Sequence, residues 1–542
     1  MNESKSILIN NGKIIDGTGN PWVNADILLE DRKIKKISRN IAKSSGDEII
    51  DATGLIVTPG FIDIHTHSDY TIFFSRGENV LSQGVTTHVV GNCGFSMTPI
   101  NPARDRDDEI QKQFNSMLGV TNSDLSFYTL DEYLEGLRQK EIPINIIPLI
   151  GHSTLRIHTM GLENRSPNDS ELKEMKEVLE EEMKFGAFGL STGLDYPPGS
   201  FAKTHELIEL CKIVKKYNGI YTTHFRGFSS GIIRATKEAI EIAKSGISVE
   251  INHFKPFGFW VGDINKAYRY VEKARDNNLD VTFDVFPHAS NSTFLFALIP
   301  PWVYLSENKI NVPSAIKTLK ESKKDEELKN KIYKEIDLIG KSFLKINERE
   351  DWKKVYINAP RSIKFNGKNV YQNAIEQSIS PQQVIIDVLI EQQGSVSGTY
   401  LSMTEDDNII TITHPLTMFA SDGRIIPEDN KEYFPNPYAN GTFTQVLGKY
   451  VREKKLLTLE DAIRRMTSYP AQKLGLQDRG LLREGYSADI TIFDAERIID
   501  KATYENPRLY SEGIEYVFVN GEPAIYQGAF TGSLSGMPIM KK

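Results

Sequence analysis

The chain of 542 residues is long enough to form one large domain and a smaller one. Hydrophobic residues make up 39% of the sequence and charged residues 25%, which is ordinary for a soluble globular protein. The net charge of -8 arises from interspersed acidic and basic residues, so nothing in the composition indicates a nucleic-acid-binding surface.

The first residues, "MNESKSILINNGKIIDG", contain no basic segment followed by an apolar core and a small-residue cleavage site. No later apolar run is long enough to span a bilayer. We therefore expect a cytoplasmic protein that acts on a small molecule and has neither a membrane nor a nucleic acid as its partner.

Short β segments with turn signals between them stand at both ends of the chain. They read "ILINNGKIID", "ADILLEDRKIKKIS" and "LIVTPG" near the start, and "YSADITIFDAERI" and "IEYVFVNGEPAIYQGAF" near the end. Residues 1–58 and 471–542 are therefore predicted to pair into one small β domain around a larger insertion.

Between the two ends, apolar β-rich runs alternate with amphipathic helical stretches. The eight runs are "FIDIHTH", "TTHVVGNCG", "INIIPLIGH", "AFGLSTGL", "GIYTTHF", "SVEINHF", "VTFDVFPH" and "TMFASDG". Repeated strand and helix units of this number predict an α/β fold, a TIM (β/α)8 barrel over residues 59–470. Residues 301–351 are rich in Lys and Glu. A solvent-exposed helical insertion is favoured for this segment over a lid, and such an insertion can also act as a lid.

The ends of the predicted strands carry metal-binding side chains. In "GFIDIHTHSDY", His65 and His67 are two residues apart, so an extended strand directs both imidazoles to the same side. Such a pair alone is more often a polar strand end. The other ends add a cysteine, two histidines and a carboxylate, and all of them should meet at one mouth of the barrel. They are Cys93, His224, His253 and Asp422.

Imidazole and thiolate ligands indicate zinc, which supports hydrolysis because it acidifies water and polarises a carbonyl oxygen. Asp422 is then placed to take a proton from water and return it to the leaving amine. A nucleophilic Cys93 stays open, although four converging histidines favour a ligand role. The other cysteine, Cys211, lies in a helical pattern and is predicted to pack in the core. Five further histidines are predicted to be structural, namely His88, His152, His158, His205 and His414.

The chain resembles the N-acyl-D-amino-acid deacylases, or D-aminoacylases, of the metal-dependent amidohydrolase superfamily. The resemblance is carried by "HTHSD", "GVTTHVVGNCGFS", "GLSTGLDYPPG", "THFRG", "INHFK", "ASDG", "GTFTQVLGKY" and "DRGLLREGYSADITIFD", and covers nearly the whole chain. It implies a TIM barrel with a flanking β-sandwich formed by the two termini.

The resemblance also implies a ligand set. One zinc is held tightly by Cys93, His224 and His253, and a second, weaker position is formed by His65 and His67 with the same cysteine. Asp422 is the acid/base group. Many relatives bridge two metals with a carboxylated lysine, a place that the cysteine takes here.

Lys255 matches a lysine that helps to bind substrate in the family, Tyr196 matches a tyrosine that lines the pocket, and Ser292 is a further candidate substrate-binding residue. The chain departs from the family pattern where Phe254 replaces a second histidine after His253. It departs again where His288 replaces the second tyrosine of Tyr-Pro-Tyr, although its N–H can supply the lost hydrogen bond to the carbonyl oxygen.

A third departure concerns the substrate carboxylate, because Tyr438 stands where family members often carry an arginine. Tyrosine cannot form the bidentate ionic pair that arginine gives a carboxylate. Arg424 or Arg226 can compensate, but a structural salt bridge is favoured for each.

The sequence therefore predicts a zinc-dependent amidohydrolase acting on N-acyl-D-amino acids or closely related N-acyl compounds. Two alternatives stay open. A cyclic amidohydrolase of the dihydropyrimidinase or dihydroorotase type is disfavoured because the fourth run, "AFGLSTGL", has no bridging lysine. An inactive barrel acting as a binding protein is disfavoured because the ligands and Asp422 are intact.

Overall fold

The structure, a computed structural model, describes residues 6–44, 47–101, 127–227, 231–256, 261–306, 309–359, 362, 364–428 and 435–542. The strands in these ranges are β1 (Ser6–Ile14), β2 (Val23–Glu30), β3 (Lys33–Ser38), β4 (Asp47–Asp51), β5 (Ile56–Pro59), β6 (Phe61–Asp63), β7 (Val85–Val90), β8 (Asn145–Pro148), β9 (Ile150–Gly151), β10 (Gly189–Gly193), β11 (Ile220–His224), β12 (Ser248–Ile251), β13 (Val281–Val285), β14 (Asn291–Phe294), β15 (Leu305–Ser306), β16 (Lys309–Ile310), β17 (Val355–Asn358), β18 (Ser397–Tyr400), β19 (Thr417–Phe419), β20 (Ile490–Phe493), β21 (Ile514–Val519), β22 (Glu522–Tyr526) and β23 (Ala529–Phe530).

The α-helices span Glu78–Leu81, Leu130–Lys140, His152–Met160, Asp169–Lys184, Thr204–Lys216, Ile232–Ala243, Val261–Asp276, Pro301–Tyr304, Val312–Ser322, Glu326–Leu344, Val370–Glu376, Pro381–Glu391, Glu405–Ile412, Tyr438–Gln445, Leu459–Met466 and Ser468–Leu474, and a π-helix spans Val446–Glu453. None of the helices within the described ranges is long and apolar enough to cross a membrane.

Both ends of the chain contribute strands to one nine-stranded sheet. Its order is β23-β22-β21-β20-β5-β1-β2-β3, and β4 pairs with β1. The joint between the two ends is the antiparallel pair β5 and β20, in which Val57 faces Ile492. Alternating apolar side chains from both ends, among them Ile9, Ile27 and Phe518, bury together in one core.

The central strands run parallel, and an observed strand overlaps each of the eight predicted runs. One parallel sheet has the order β19-β13-β12-β11-β10-β9 and another the order β6-β7-β8. Strands β8 and β9 follow each other directly. The ends of the first and eighth runs also lie side by side, since Thr66 bridges Gly423 in parallel and the Asp422 N–H donates to the His65 carbonyl at 3.0 Å.

The helices between these strands bury one apolar face each. The helix Asp169–Lys184 is an example: Asn168 and Glu171 form a capping box at its start, and Met175, Leu179 and Met183 enter the core. Such helices cover the parallel sheets and leave the loops after the strands to form the site.

Residues 291–400 fold around a second core that contains Leu319, Ile336, Trp352 and Tyr400. This lobe has its own antiparallel sheet, β14-β18-β17, beside its helices. It is wider than the helical segment 301–351 expected from the Lys and Glu content, because strands β14 and β18 complete its core from outside that segment.

Candidate metal centre

The ends of the parallel strands and the loops after them bring five side chains of types that can bind metals together. The Cys93 Sγ lies 3.4 Å from His65 Nε2, 3.8 Å from His224 Nδ1 and 3.9 Å from His253 Nε2. Two groups of three side chains each have ligand atoms within 4.8 Å of one another. The groups are His65, His67 and Cys93, and Cys93, His224 and His253. The cysteine sulfur therefore belongs to both groups.

This donor set fits zinc. Thiolate and imidazole are the ligands that zinc prefers, and three protein ligands leave a coordination position open for water or substrate. The cluster is almost closed to solvent, since His65 is fully buried and Cys93 is 5% exposed. Either group of three could hold one ion, and both together could hold two.

The electrostatics of the cluster favour positive charge. Burial alone would raise the pKa of the Cys93 thiol, but the charge of His65 and contacts with His224 and His253 hold it well below its usual value. Burial alone would lower the pKa of His67, but its contacts with Asp422 and Cys93 raise it to about 9. A thiolate and a carboxylate next to imidazoles attract a cation, as metal ligands must.

The Cys93 loop is held in a tight conformation against the fourth strand. Cys93 itself has a φ of 51°, in the left-handed region that few residues other than glycine adopt. The Gly94 N–H donates to Ser191 Oγ at 3.1 Å, and the Ser153 N–H donates to the Gly94 carbonyl at 2.8 Å. A side chain at Gly193 would collide with the Cys93 carbonyl oxygen. The "GNCG" motif is thus what allows the thiol to face the histidines.

Asp422 lies beside the cluster and also has a left-handed backbone, with a φ of 49°. Its Oδ1 is 3.2 Å from His67 Nε2 and 3.5 Å from His65 Nε2. Burial would raise the pKa of this carboxyl, but the contact with His67 and the charges of the neighbouring histidines lower it. An ionised carboxylate at this place can accept a proton from a group bound at the cluster.

Tyr196 packs against a histidine of the cluster, and His288 packs against Tyr438; substrate binding by both stays a prediction. The Tyr196 ring is 4.6 Å from the His224 ring and meets Phe294 of the 291–400 lobe edge-on at 5.9 Å. His288 is 6% exposed, and neither ring nitrogen has a hydrogen-bond partner among the described residues. The ring of Tyr438 lies 5.8 Å from that of His288.

The other two predicted substrate-binding residues, Ser292 and Lys255, have different surroundings. Ser292 is half-buried on β14, in the lobe, where it pairs with Thr399. Lys255 is fully buried, and its Nζ donates to the carbonyls of Phe286, at 2.9 Å, and His288. The Lys255 side chain thus holds the loop after β13, and its contact with substrate stays a prediction.

Arg226 makes the structural salt bridge that the sequence favoured. Its Nε lies 3.0 Å from a Glu238 carboxylate oxygen, and its remaining N–H groups donate to the carbonyls of Ser200, at 3.0 Å, and Ala202, at 2.8 Å. The guanidinium therefore anchors the loop that follows Tyr196.

The histidines expected to be structural belong to neither ligand group. His88 contacts Ser68 Oγ at 3.0 Å, His152 contacts Glu206 at 2.8 Å, and His414 contacts Glu272 at 3.2 Å. Cys211 is buried in the core, where burial alone raises the pKa of its thiol.

Two carboxylates next to the cluster were not predicted from the sequence. Asp195 Oδ2 lies 3.7 Å from His224 Nε2, and Asp284 Oδ2 lies 3.3 Å from His65 Nδ1. Asp284 could have been found, because it is a lone charge inside the apolar run "VTFDVF". Asp195, in "STGLDYPPG", has no such signal, since acidic residues are common in loops.

Comparison with known proteins gives consistent results. The model of the Amidohydrolase family matches residues 48–209 and 413–525. A D-aminoacylase from Alcaligenes xylosoxydans xylosoxydans is 32% identical over 98% of this chain and 96% of its own length. The crystal structure of N-acyl-D-glutamate deacylase from Bordetella bronchiseptica, complexed with zinc and a phosphonate mimic of the tetrahedral intermediate, superposes with a TM-score of 0.81 at 28% identity and covers 100% of both chains.

A structure of a D-aminoacylase with a binuclear metal centre superposes with a TM-score of 0.80 at 29% identity, again over 100% of both chains. The full-length sequence match and the superpositions agree with the motifs around the cluster. The chain belongs to the amidohydrolase family and, within it, to the N-acyl-D-amino-acid deacylases.

Proposed function

We propose that the protein is a zinc-dependent hydrolase that cleaves the amide bond of an N-acyl-D-amino acid or a closely related N-acyl compound. The observation that carries the proposal is the pair of ligand groups sharing the Cys93 sulfur, with the Asp422 carboxylate beside both histidines of the first run. The full-length relatives, which include deacylases of N-acyl-D-aspartate and N-acyl-D-glutamate, support the substrate class.

Cys93, His224 and His253 would hold the tightly bound zinc ion, and His65 and His67 would form the second, weaker position with the same cysteine. Zinc, when bound, supplies a Lewis acid that acidifies water and polarises a carbonyl oxygen. The lowered pKa of the Cys93 thiol favours the thiolate that such a site needs.

The chain's own residues supply the proton transfers and the orientation. The Asp422 carboxylate accepts a proton from the attacking water and delivers it to the leaving amine, a role that its lowered pKa supports. A His288 N–H, with no other hydrogen-bond partner among the described residues, orients the substrate carbonyl. The Tyr196 ring, packed on His224, forms a wall of the pocket.

The fold that places these residues is proposed to be a closed (β/α)8 barrel over residues 59–470, flanked by a β-sandwich of residues 1–58 and 471–542. The bridge between Thr66 and Gly423 supports the closure, because it joins the first predicted strand to the eighth. The sheet shared by the two ends supports the sandwich. We propose a cytoplasmic location and a small-molecule substrate as the only class of partner needed for activity.

The test follows amine release from N-acetyl-D-amino acids, their L-enantiomers and their carboxamides, and ring opening of dihydrouracil to the N-carbamoyl acid, using protein of known zinc content. Turnover confined to the N-acetyl-D-amino acids supports the proposal. It would also mean that a cationic residue elsewhere binds the substrate carboxylate, since position 438 is a tyrosine. Turnover of carboxamides alone would show that Tyr438 marks a different substrate class. Turnover of dihydrouracil alone would support a cyclic amidohydrolase, and zinc-loaded protein without any turnover would refute the proposal.

A further inference from the structure

One buried carboxylate touches ligands of both groups of the candidate metal centre. Asp284, on β13, is inaccessible to solvent. Its Oδ2 lies 3.3 Å from His65 Nδ1 and accepts a hydrogen bond from Asn252 Nδ2 at 2.8 Å. Its Oδ1 accepts a hydrogen bond from the backbone N–H of His253 at 2.8 Å. The two oxygens therefore reach one ligand from each group of three.

We infer that Asp284 is a positioning residue that fixes the ligands of both metal positions at once. The inference rests on the metal centre of the proposed function, but it concerns the geometry of the ligands rather than the identity of the substrate. Among the described residues, the Asp284 carboxylate forms hydrogen bonds with His65, Asn252 and the backbone of His253, and none of these is a predicted substrate-binding residue.

The first effect is on the imidazole of His65. A carboxylate oxygen only accepts hydrogen bonds, so its contact with Nδ1 places the ring proton there and leaves the lone pair on Nε2. Nε2 is the atom that faces the Cys93 sulfur at 3.4 Å. Without Asp284 the ring could adopt the other tautomer, in which a proton on Nε2 blocks coordination.

The second effect is on the backbone of His253. This residue has a φ of 33°, a left-handed conformation that is unfavourable for a residue with a side chain. The hydrogen bond to Asp284 Oδ1 holds its N–H, and the next N–H, that of Phe254, donates to the Asp284 carbonyl at 3.0 Å. This conformation directs His253 Nε2 to within 2.9 Å of His224 Nδ1.

These contacts require a carboxylate at position 284, and an amide cannot replace it. All three contacting groups are N–H donors, and only a carboxylate offers acceptors on both of its atoms. In Asp284→Asn the amide nitrogen must face either the His253 N–H or the pair formed by Asn252 and His65. One donor is left unsatisfied in a buried site, or the His65 tautomer is reversed.

Glu250 offers a matched control on the neighbouring strand β12. It is also fully buried, and its Oε2 accepts a hydrogen bond from Thr282 Oγ1 at 2.7 Å. No hydrogen bond connects it to any of the five candidate ligands within the described residues. Burial raises the pKa of Glu250 to about 8, so Glu250→Gln replaces a buried carboxyl group of the same interior without removing a hydrogen bond to a candidate ligand.

The experiment measures zinc binding to the full chain by equilibrium dialysis against a competing chelator, with wild type, Asp284→Asn and Glu250→Gln. We expect Asp284→Asn to lower the zinc affinity of both positions by about 10- to 100-fold. We expect Glu250→Gln to stay within about threefold of wild type. The visible absorption of the cobalt-loaded proteins, which reports the ligand geometry, should change in Asp284→Asn alone.

The inference would be overturned if Asp284→Asn bound zinc with wild-type affinity at either position. It would also be overturned if Glu250→Gln lost as much zinc affinity as Asp284→Asn. If Asp284→Asn does not fold, Asp284→Glu decides, because it keeps the charge but displaces the oxygens. A loss of at least tenfold in affinity then supports the inference, and wild-type affinity overturns it. A wild-type protein that binds zinc at both positions but cleaves no substrate would refute the proposed function alone.

Discussion

Glu182 is a buried carboxyl that belongs to neither candidate ligand group, and its pKa predicts how stability depends on pH. It lies on the helix Asp169–Lys184 and is 2% exposed. Its Oε2 accepts hydrogen bonds from Thr98 Oγ1 and the Leu130 N–H, both at 3.0 Å. Burial outweighs these contacts and raises the pKa of Glu182 from its usual 4.5 to about 7.

A raised pKa means that the folded protein binds a proton more tightly than the unfolded chain. The contribution of Glu182 to stability is therefore fully present below pH 4.5, is lost as the pH rises to 7, and is constant above that. At about 1.4 kcal/mol per pH unit the total loss is about 3 kcal/mol. Glu182→Gln should remove this loss, because the amide oxygen can accept both hydrogen bonds without a charge.

The assay is thermal unfolding of wild type and Glu182→Gln at pH 5 and pH 8. The difference in unfolding free energy should change by about 2.5 kcal/mol between these values, in favour of the variant at pH 8. With an unfolding entropy of about 1.1 kcal/mol/K for a chain of this length, the Tm difference should grow by about 2 °C.

Glu181→Gln is the matched control, since Glu181 is the exposed neighbour on the same helix. Its Tm difference from wild type should change by less than about 1 °C over the same pH range, because water screens an exposed charge. A Glu182→Gln difference that is equal at both pH values would refute the reasoning.

Three further predictions concern the metal centre. Gly193→Ala, whose new methyl group would collide with the Cys93 carbonyl, should be purified with less than half of the wild-type zinc by elemental analysis; full zinc content would contradict this. Asp422→Asn should keep its zinc but lose at least about 100-fold in turnover, and near-normal turnover would exclude the acid/base role. Removing zinc with a chelator should abolish turnover and lower the Tm, and zinc alone should restore both; activity of metal-free protein would contradict the cofactor.

The sequence predicted the positions of the central strands because their signal is local. Each of the eight runs is apolar and β-rich over several residues, and an observed strand overlaps each of them. The ligand set followed from topology, because side chains at the same ends of parallel strands must converge. The structure brings these side chains together in two groups of three, and their role as metal ligands stays a prediction.

What the sequence could not reveal depends on partners that are distant in the chain. Strands β14 and β18 are four residues each and pair across about a hundred residues, so neither has a distinctive local pattern. Lys255 is predicted to bind substrate, and only the folded chain shows that its Nζ donates to carbonyls of the loop after β13. The role of Asp284 likewise arises only where three strands meet.

Because the two ends of the chain share one sheet, strand β5 is synthesised long before the strand with which it pairs. Strand β5 ends at Pro59, and its partner β20 begins at Ile490, about 430 residues later. At about 5–20 residues per second the ribosome needs on the order of 20 to 90 s to supply that partner. During this time the apolar edge of β5 is open to pairing with other nascent chains. Prematurely terminated chains should therefore aggregate, and slower translation of residues 60–489 should lower the yield of soluble protein.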